Sequence, residues 1–398
     1  MFEILLFAAF GIALGALAGI VPGLHVNTLA LLMMALMPLF EPLLLAVAVI
    51  TMSISTTFFD FIPSTLLGAP DPETALSVLP GHRMLMAGRG LDAIYMTMLG
   101  GLAASVIAAA SLPATLLVIP WLYSAVQGYM GWLLVVVALF CVLSERKARE
   151  VLWSAASMLL SGALGFIALG STAFAEPLFP MFTGLFGVSS LLLSLKERTV
   201  MPKQSMEVRP PDRRTVLSGV LKGLFSGSLV GTLPAVGASQ AALVSEHISR
   251  RGGDKEYLVS MGAISTIVAM FSLVSLYTIS KARSGTAVVV GKLLPEFGQA
   301  DFLIMVACIL LAAGVSALLL MKTARWFARA ISGVSYPALT RTVLTFLIVL
   351  VFIMAGPMGL LLMAVGAAIG LVAPLGGARR SSAMGCLLLP LAAFYLGI

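Results

Sequence analysis

Apolar segments long enough to cross a bilayer follow one another from end to end of this chain, separated only by short polar turns. A membrane-spanning helix needs roughly 20 predominantly apolar residues, and about ten such crossings fit. Hydrophobic residues make up 60% of the 398 and charged residues 10%, with a mean hydropathy of +1.07. No soluble domain could cover that much apolar surface, so lipid has to be the solvent. The fold class that follows is an all-α polytopic membrane protein.

The same composition excludes several functions. The net charge of +7 does not indicate a nucleic-acid partner, because the basic residues lie in short clusters at the ends of apolar segments, where topology signals belong. Cys141, Cys308 and Cys386 each stand alone in an apolar segment without CxxC spacing, so neither a disulfide framework nor a metal site is indicated. No nucleophile elbow, HExxH or phosphate-binding glycine loop occurs, and an intramembrane enzyme is unsupported. Residues 1 to 20 end in Ala16-Leu17-Ala18, a motif like a cleavage site, but they carry Glu3 and no Lys or Arg, and are expected to be retained.

The longest hydrophilic stretch, residues 196 to 214, contains Pro202, Pro210 and Pro211 and fits a flexible cytoplasmic connector between halves 1–195 and 215–398. The segments that open the two halves match at one constant offset without a gap. Gly11, Gly15, Leu17, Gly19, Pro22, Ala30 and Leu31 align with Gly223, Gly227, Leu229, Gly231, Pro234, Ala242 and Leu243. A weaker second match sets Ile54-Ser55-Thr56 against Ile264-Ser265-Thr266. Beyond its opening segment each half carries five apolar runs, near 43–59, 91–111, 121–143, 151–170 and 178–195, then 257–280, 301–321, 340–356, 357–375 and 381–398.

Both opening segments, 2–40 and 215–249, are broken by a proline-centred turn, Pro22-Gly23 and Pro234-Ala235. Basic residues flank the second at both ends, so both ends should be cytoplasmic and the passage even. The arms are short for two full crossings, which favours a re-entrant helical hairpin. Five further crossings are an odd number, so the two hairpins should enter from opposite faces and the halves should be inverted-topology repeats. In that arrangement the loops 80–90, 144–150, 196–214, 249–256, 322–331 and 379–380 are cytoplasmic, and only Lys281, Arg283 and Lys292 among the basic residues fall on the outer side.

Inverted repeats with broken helices place a site near the midplane, where half-helix ends expose backbone groups. That points to the tips, Pro22-Gly23-Leu24-His25 followed by Asn27-Thr28, and Pro234-Ala235-Val236-Gly237 followed by Ser239-Gln240. Each polar pair falls in the first turn of a returning arm, where unpaired N–H groups favour an anion, or alternatively caps the helix. His25 is either a hydrogen-bonded filler or a proton-coupling group. A second discontinuity follows in each half: Ser55-Thr56-Thr57, Asp60 and Pro63-Ser64-Thr65 in the first, and Ser275, Thr278 and Ser280 through Thr286 in the second. Unwound hydroxyl-rich segments suit a carboxylate or Na⁺, and Ser55, Thr56 and Asp60 are the candidates for ion coupling, with Asp60 otherwise at the water interface. Ser64, Thr65, Arg283 and Ser284 join the substrate candidates, Arg283 and Lys281 either neutralising an anion or lying solvated. The glycine ladders are packing signals.

Residues 15–24, Gly-Ala-Leu-Ala-Gly-Ile-Val-Pro-Gly-Leu, residues 63–70, Pro-Ser-Thr-Leu-Leu-Gly-Ala-Pro, the later Thr74-Ala75 and Gly81 to Gly90, and residues 231–238, Gly-Thr-Leu-Pro-Ala-Val-Gly-Ala, resemble the large membrane subunit of the tripartite tricarboxylate transporters, the TctA family. The likeness is clearest over 11–110 and 215–300. It implies ion-coupled uptake of di- or tricarboxylates, with Na⁺ or H⁺ as the coupling ion, no cofactor, and a small membrane subunit and a periplasmic binding protein as partners. A homo-oligomer is the other candidate assembly. The family's Pro-Gly-Leu-Gly-Pro tip is here Pro22-Gly23-Leu24-His25-Val26. The same tip resembles that of bacterial membrane proteins that return polyprenyl-phosphate lipids across the membrane, which makes a lipid phosphate the alternative substrate. A multi-pass cell-membrane secondary transporter with elevator-like alternating access is the expectation.

Overall fold

The computed structural model describes residues 1–21, 26–68, 74–143, 145, 147–172, 174, 177–194, 202–231, 238, 241–242, 245, 253–331 and 336–398. These residues are helical nearly throughout, and there is no strand among them. The helices are α1 Phe2–Ile20, α2 Val26–Ala35, α3 Pro42–Phe59, α4 Val78–Met86, α5 Gly90–Ala110, α6 Leu112–Val126, α7 Met130–Leu143, α8 Ala148–Gly170, α9 Leu178–Phe182 and α10 Ser189–Ser194. They continue as α11 Arg213–Gly231, α12 Gly253–Ile279, α13 Gly285–Leu293, α14 Gln299–Ile331, α15 Tyr336–Gly376 and α16 Gly385–Leu396.

Eight stretches are long and apolar enough to cross a membrane. Several differ from the expected runs. Residues 112–143 form one apolar stretch, α6 and α7 joined through a 3₁₀ turn at Gln127–Tyr129. The two runs expected at 340–356 and 357–375 are the two arms of α15, which meet at a kink without an intervening loop. The break is at Gly356, with φ 63° and ψ −164°, a conformation open to glycine because it has no Cβ, and Pro357 follows it. Leu178–Leu193 and Ser382–Leu396 are shorter than a full span.

Two stretches form the centre of the molecule: 89% of the residues in an 18-residue apolar window of Pro42–Leu67 are buried and 94% in that of Gly253–Ile279, against 28% to 56% in the other spans, which turn an apolar face to lipid. Close helix approach explains the difference. A Cβ added to Gly11 would strike the Ala48 carbonyl and Thr51, and one added to Gly15 would strike the Met52 carbonyl and Ser55. On α11, Gly223 faces Ser260 and Ala263, and Gly227 faces Ile264 and Ile267. Glycine and partner are thus shifted by the same 212 positions in both helix pairs. The weaker match of Ile54-Ser55-Thr56 with Ile264-Ser265-Thr266 lies two residues out of this contact register. In both pairs rising residue numbers meet rising residue numbers, so α1 runs parallel to α3 and α11 parallel to α12.

The ends of the helices are tied by polar contacts. Arg83 meets Asp254 at 2.5 Å, and Lys222 and Ser218 both reach Glu256. Arg379 donates its backbone N–H to Glu145 at 2.9 Å, and Arg380 bonds Ser190. Loops with high basic content therefore gather at common ends. At another rim, Glu41, Leu294, Glu296 and Asp301 line a cavity of about 490 Å³. The connector departs from the flexible segment expected: residues 202–209 are docked on the turn between α4 and α5. Gln204 is 6% exposed, accepts from the Gly90 N–H at 3.0 Å and donates to the Leu85 carbonyl at 3.0 Å. Ser205 N–H donates to the Gly88 carbonyl, and Arg209 N–H to Asp92. One buried amide satisfies both an orphan N–H at the start of α5 and a carbonyl at the end of α4.

Candidate functional site

Asn27 occupies the first turn of α2, and its carboxamide lies against Gly285 in the first turn of α13, where an added Cβ would come within 2.5 Å of it. Only a residue without a side chain admits this contact. Two helix N-termini therefore converge, and the partial positive charge of each adds to the other's. Ser284 caps α13 by accepting the Ala287 N–H at 3.2 Å.

A chain of hydroxyls leads into the same spot. The Arg283 N–H donates to Ser272 Oγ at 3.2 Å, and Ser272 donates to Ser284 Oγ at 2.9 Å. Ser284 then holds two incoming donors, which leaves its own proton for Thr286 Oγ1 at 3.0 Å. Thr286 lies 3.3 Å from Ser53 on α3. Filled in this order, the chain leaves the Ser53 proton unassigned at its end, beside the N-termini of α2 and α13. Arg283 stands next to it. Its guanidinium lies 4.7 Å over the ring of Tyr123, and its Nε and Nη2 are buried without a hydrogen-bond partner. Burial pushes the Arg283 pKa below its ordinary value, as expected for a cation desolvated without a carboxylate beside it.

The other broken segment follows α3. Asp60 is buried at the end of that helix, a π turn spans Pro63–Leu67, and Gly68 closes it at φ 65°. At the end of α12 the only non-glycine residue of positive φ among the described residues is Ser280, at φ 53°. Gly68 and Ser280 are separated by the same 212 positions as the helix contacts. Ser64 and Thr65 are fully buried, and their hydroxyls have no partner; Ser275 on α12 is likewise buried and unpaired. Phe61 packs in one apolar cluster with Ala238, Ala241 and Ala242, which follow the second tip.

The sequence-based candidates fall into three groups. Asn27, Arg283 and Ser284 come together. Pro22, Gly23, His25, Gly237, Ser239 and Gln240 lie outside the described residues, and Thr28 is described only in its backbone. Ser55 and Thr56 were expected in an unwound stretch, but they are helical: the apolar packing of α1 against α3 carries the helix to Phe59. Ser55 donates to the Ile12 carbonyl at 2.9 Å and Thr56 to the Gly15 carbonyl at 3.2 Å, pinning α3 to α1. Ser275 and Thr278 are helical as well, since α12 runs to Ile279. Sequence reasoning missed Ser53, Ser272 and Tyr123. The signal for Ser53 was its place at the head of the run Ser53-x-Ser55-Thr56-Thr57.

A helical membrane protein whose two central helices end in irregular, hydroxyl-rich segments against short half-length helices belongs to the class of membrane transport proteins. The chain belongs to the family described as the tripartite tricarboxylate transporter TctA family, whose pattern matches residues 5–385, nearly its whole length. It is also 30% identical over 288 residues, 71% of each chain, to a protein of Methanocaldococcus jannaschii described as uncharacterized. No solved structure matches it. The chain is therefore a membrane-embedded transporter component and not an enzyme. The family works with two further subunits in carboxylate transporters of three parts.

Proposed function

We propose that the chain is the carrier of a di- or tricarboxylate, binding one carboxylate where the N-termini of α2 and α13 meet. The observation that carries this is the unpaired, buried edge of Arg283 beside two converging helix N-termini and the hydroxyl chain from Ser272 to Ser53. An anion there gains the guanidinium, free N–H groups and a hydroxyl proton with little rearrangement, and the acidic residues of α12, Asp254 and Glu256, lie in its first turn, paired with Arg83 and Lys222. The tip residues Pro22, Gly23, His25 and Thr28, and from the other half Gly237, Ser239 and Gln240, complete the cradle in this proposal. Ser64 and Thr65 with Asp60, Ser55 and Thr56 take the coupling Na⁺ or H⁺. Unpaired buried hydroxyls near a buried carboxylate favour a cation.

The transport movement we infer is elevator-like, with residues 1–195 and 215–398 as inverted repeats joined by 196–214 and with a re-entrant hairpin opening each. Three observations support it. The glycine contacts and the left-handed residues Gly68 and Ser280 obey one offset. The parallel pairs α1 with α3 and α11 with α12 bring the chain back to its starting level, an even passage. Arg83 after α3 meets Asp254 at the start of α12, whereas Ser53 earlier in α3 meets Thr286 after its end, so α3 and α12 run in opposite directions. Against a re-entrant α1, that helix alone has 19 residues, apolar but for Glu3 and about 28 Å long at 1.5 Å each, and only the ten-residue α2 is half-length. A small membrane subunit, a periplasmic binding protein and further copies of the chain are the proposed partners. Nothing in the fold favours the lipid-phosphate alternative.

Equilibrium binding of citrate, succinate, inorganic phosphate and glucose to the detergent-solubilised chain, with and without Na⁺ and at two pH values, tests the proposal. Citrate or succinate should bind, and more tightly with one of the two cations. Binding confined to glucose or to phosphate would overturn the carboxylate assignment.

A further inference from the structure

Arg283 does more than supply charge: its guanidinium is supported from a different part of the molecule. It rests on the Tyr123 ring at 4.7 Å, and Tyr123 lies at the end of α6. Tyr123 does not belong to the helices that form the hydroxyl chain, α3, α12 and α13. Val126, in the same last turn of α6, packs against the apolar cluster of α7 and α8.

A guanidinium has two faces and three edges. One face is taken by the tyrosine ring, which attracts the cation through its quadrupole and leaves the in-plane N–H groups untouched. Nε and Nη2 together form one edge, the side-on pair whose two parallel N–H vectors match the two oxygens of a carboxylate. Those are the two atoms of Arg283 that are buried and unpaired. A buried donor pair is costly to leave unsatisfied, so an aromatic ring against the face that leaves Nε and Nη2 unpaired is the arrangement a receiving site requires.

We propose that Tyr123 is a positioning residue of the anion site, holding the Arg283 guanidinium by its face so that its Nε–Nη2 edge receives one carboxylate of the solute. This rests on the carboxylate-carrier assignment above and adds to it one residue on α6. Because Tyr123 lies outside the hydroxyl-chain helices, any movement of those helices relative to α6 withdraws Arg283 from its support. Affinity is then tied to conformation.

The test measures citrate and inorganic phosphate binding by calorimetry, together with the thermal unfolding midpoint, for the wild type, Arg283→Gln, Tyr123→Leu and Tyr123→Phe. Loss of the ring should weaken citrate binding roughly two- to thirtyfold in Tyr123→Leu. Tyr123→Phe, which keeps the ring, should recover most of that loss. Combining Tyr123→Leu with Arg283→Gln should add little to Arg283→Gln alone, because the ring acts only through the guanidinium. A merely structural tyrosine would lower the unfolding midpoint in Tyr123→Leu, leave affinity unchanged and add independently to Arg283→Gln; that result overturns the proposal. If the wild type binds phosphate and not citrate, the carboxylate assignment fails, while the same variants read with phosphate still decide the role of Tyr123. If it binds neither, both fail.

Discussion

Gly262 on α12 shows how much a single position can fix. A Cβ there would run into the Thr97 carbonyl of α5, as one at Gly100 would run into the Val259 carbonyl. The two helices touch backbone to backbone, with small residues making the contact that the hydrophobic effect cannot drive in lipid. Gly262→Ala is therefore expected to cost about 1 to 3 kcal/mol and to lower the unfolding midpoint in detergent. Gly314→Ala, where nothing lies within 4 Å, should leave it unchanged, and equal shifts for both would contradict the packing assignment. The spacing of the glycines made such contacts legible in the sequence, because a residue with no side chain inside an apolar helix has few other reasons to be there. Asn27 against Gly285 was not legible. Its partner is 258 positions away, and a polar residue after a proline turn looks the same whether it caps a helix or meets another one.

At the scale of elements, the connector was expected to be loose because proline and charge dominate it, and that expectation missed Gln204. An amide among Lys, Pro and Ser has the look of a solvated residue, yet it supplies both a donor and an acceptor to exposed backbone groups at the α4–α5 turn. Gln204→Ala leaves the Gly90 N–H unpaired, which costs about 1 to 3 kcal/mol where water cannot enter, while the Leu85 carbonyl keeps the Gly88 N–H. Limited proteolysis within 202–210 should become faster, and an unchanged cleavage rate would mean the docking contributes nothing. The directions of α3 and α12 give a second expectation. Cysteines placed at Glu41, before α3, and at Lys255, in the first turn of α12, should be labelled from opposite faces of the membrane. Labelling of both from one face would remove the inverted arrangement.

For the whole molecule, the class was legible at once, since hydropathy and the distribution of basic residues report directly on the solvent and on sidedness. The two centrally buried helices were partly legible. Their hydroxyls and broken ends were visible, but the helical state of Ser55, Thr56 and Thr278 was not, because hydroxyls that donate to carbonyls stay inside helices that composition alone suggests should unwind. In the proposed carrier, the parts are joined where α2, α13 and Arg283 meet. Isothermal calorimetry of citrate binding to Asn27→Ala, Ser53→Ala and Arg283→Gln, with the unfolding midpoint of each, addresses that meeting directly. Each lost hydrogen bond to a charged group is worth about 1.5 to 3 kcal/mol, so affinity should fall roughly ten- to a hundredfold while the midpoint moves little. Lowered midpoints with unchanged citrate affinity would show that these residues only cap and pack.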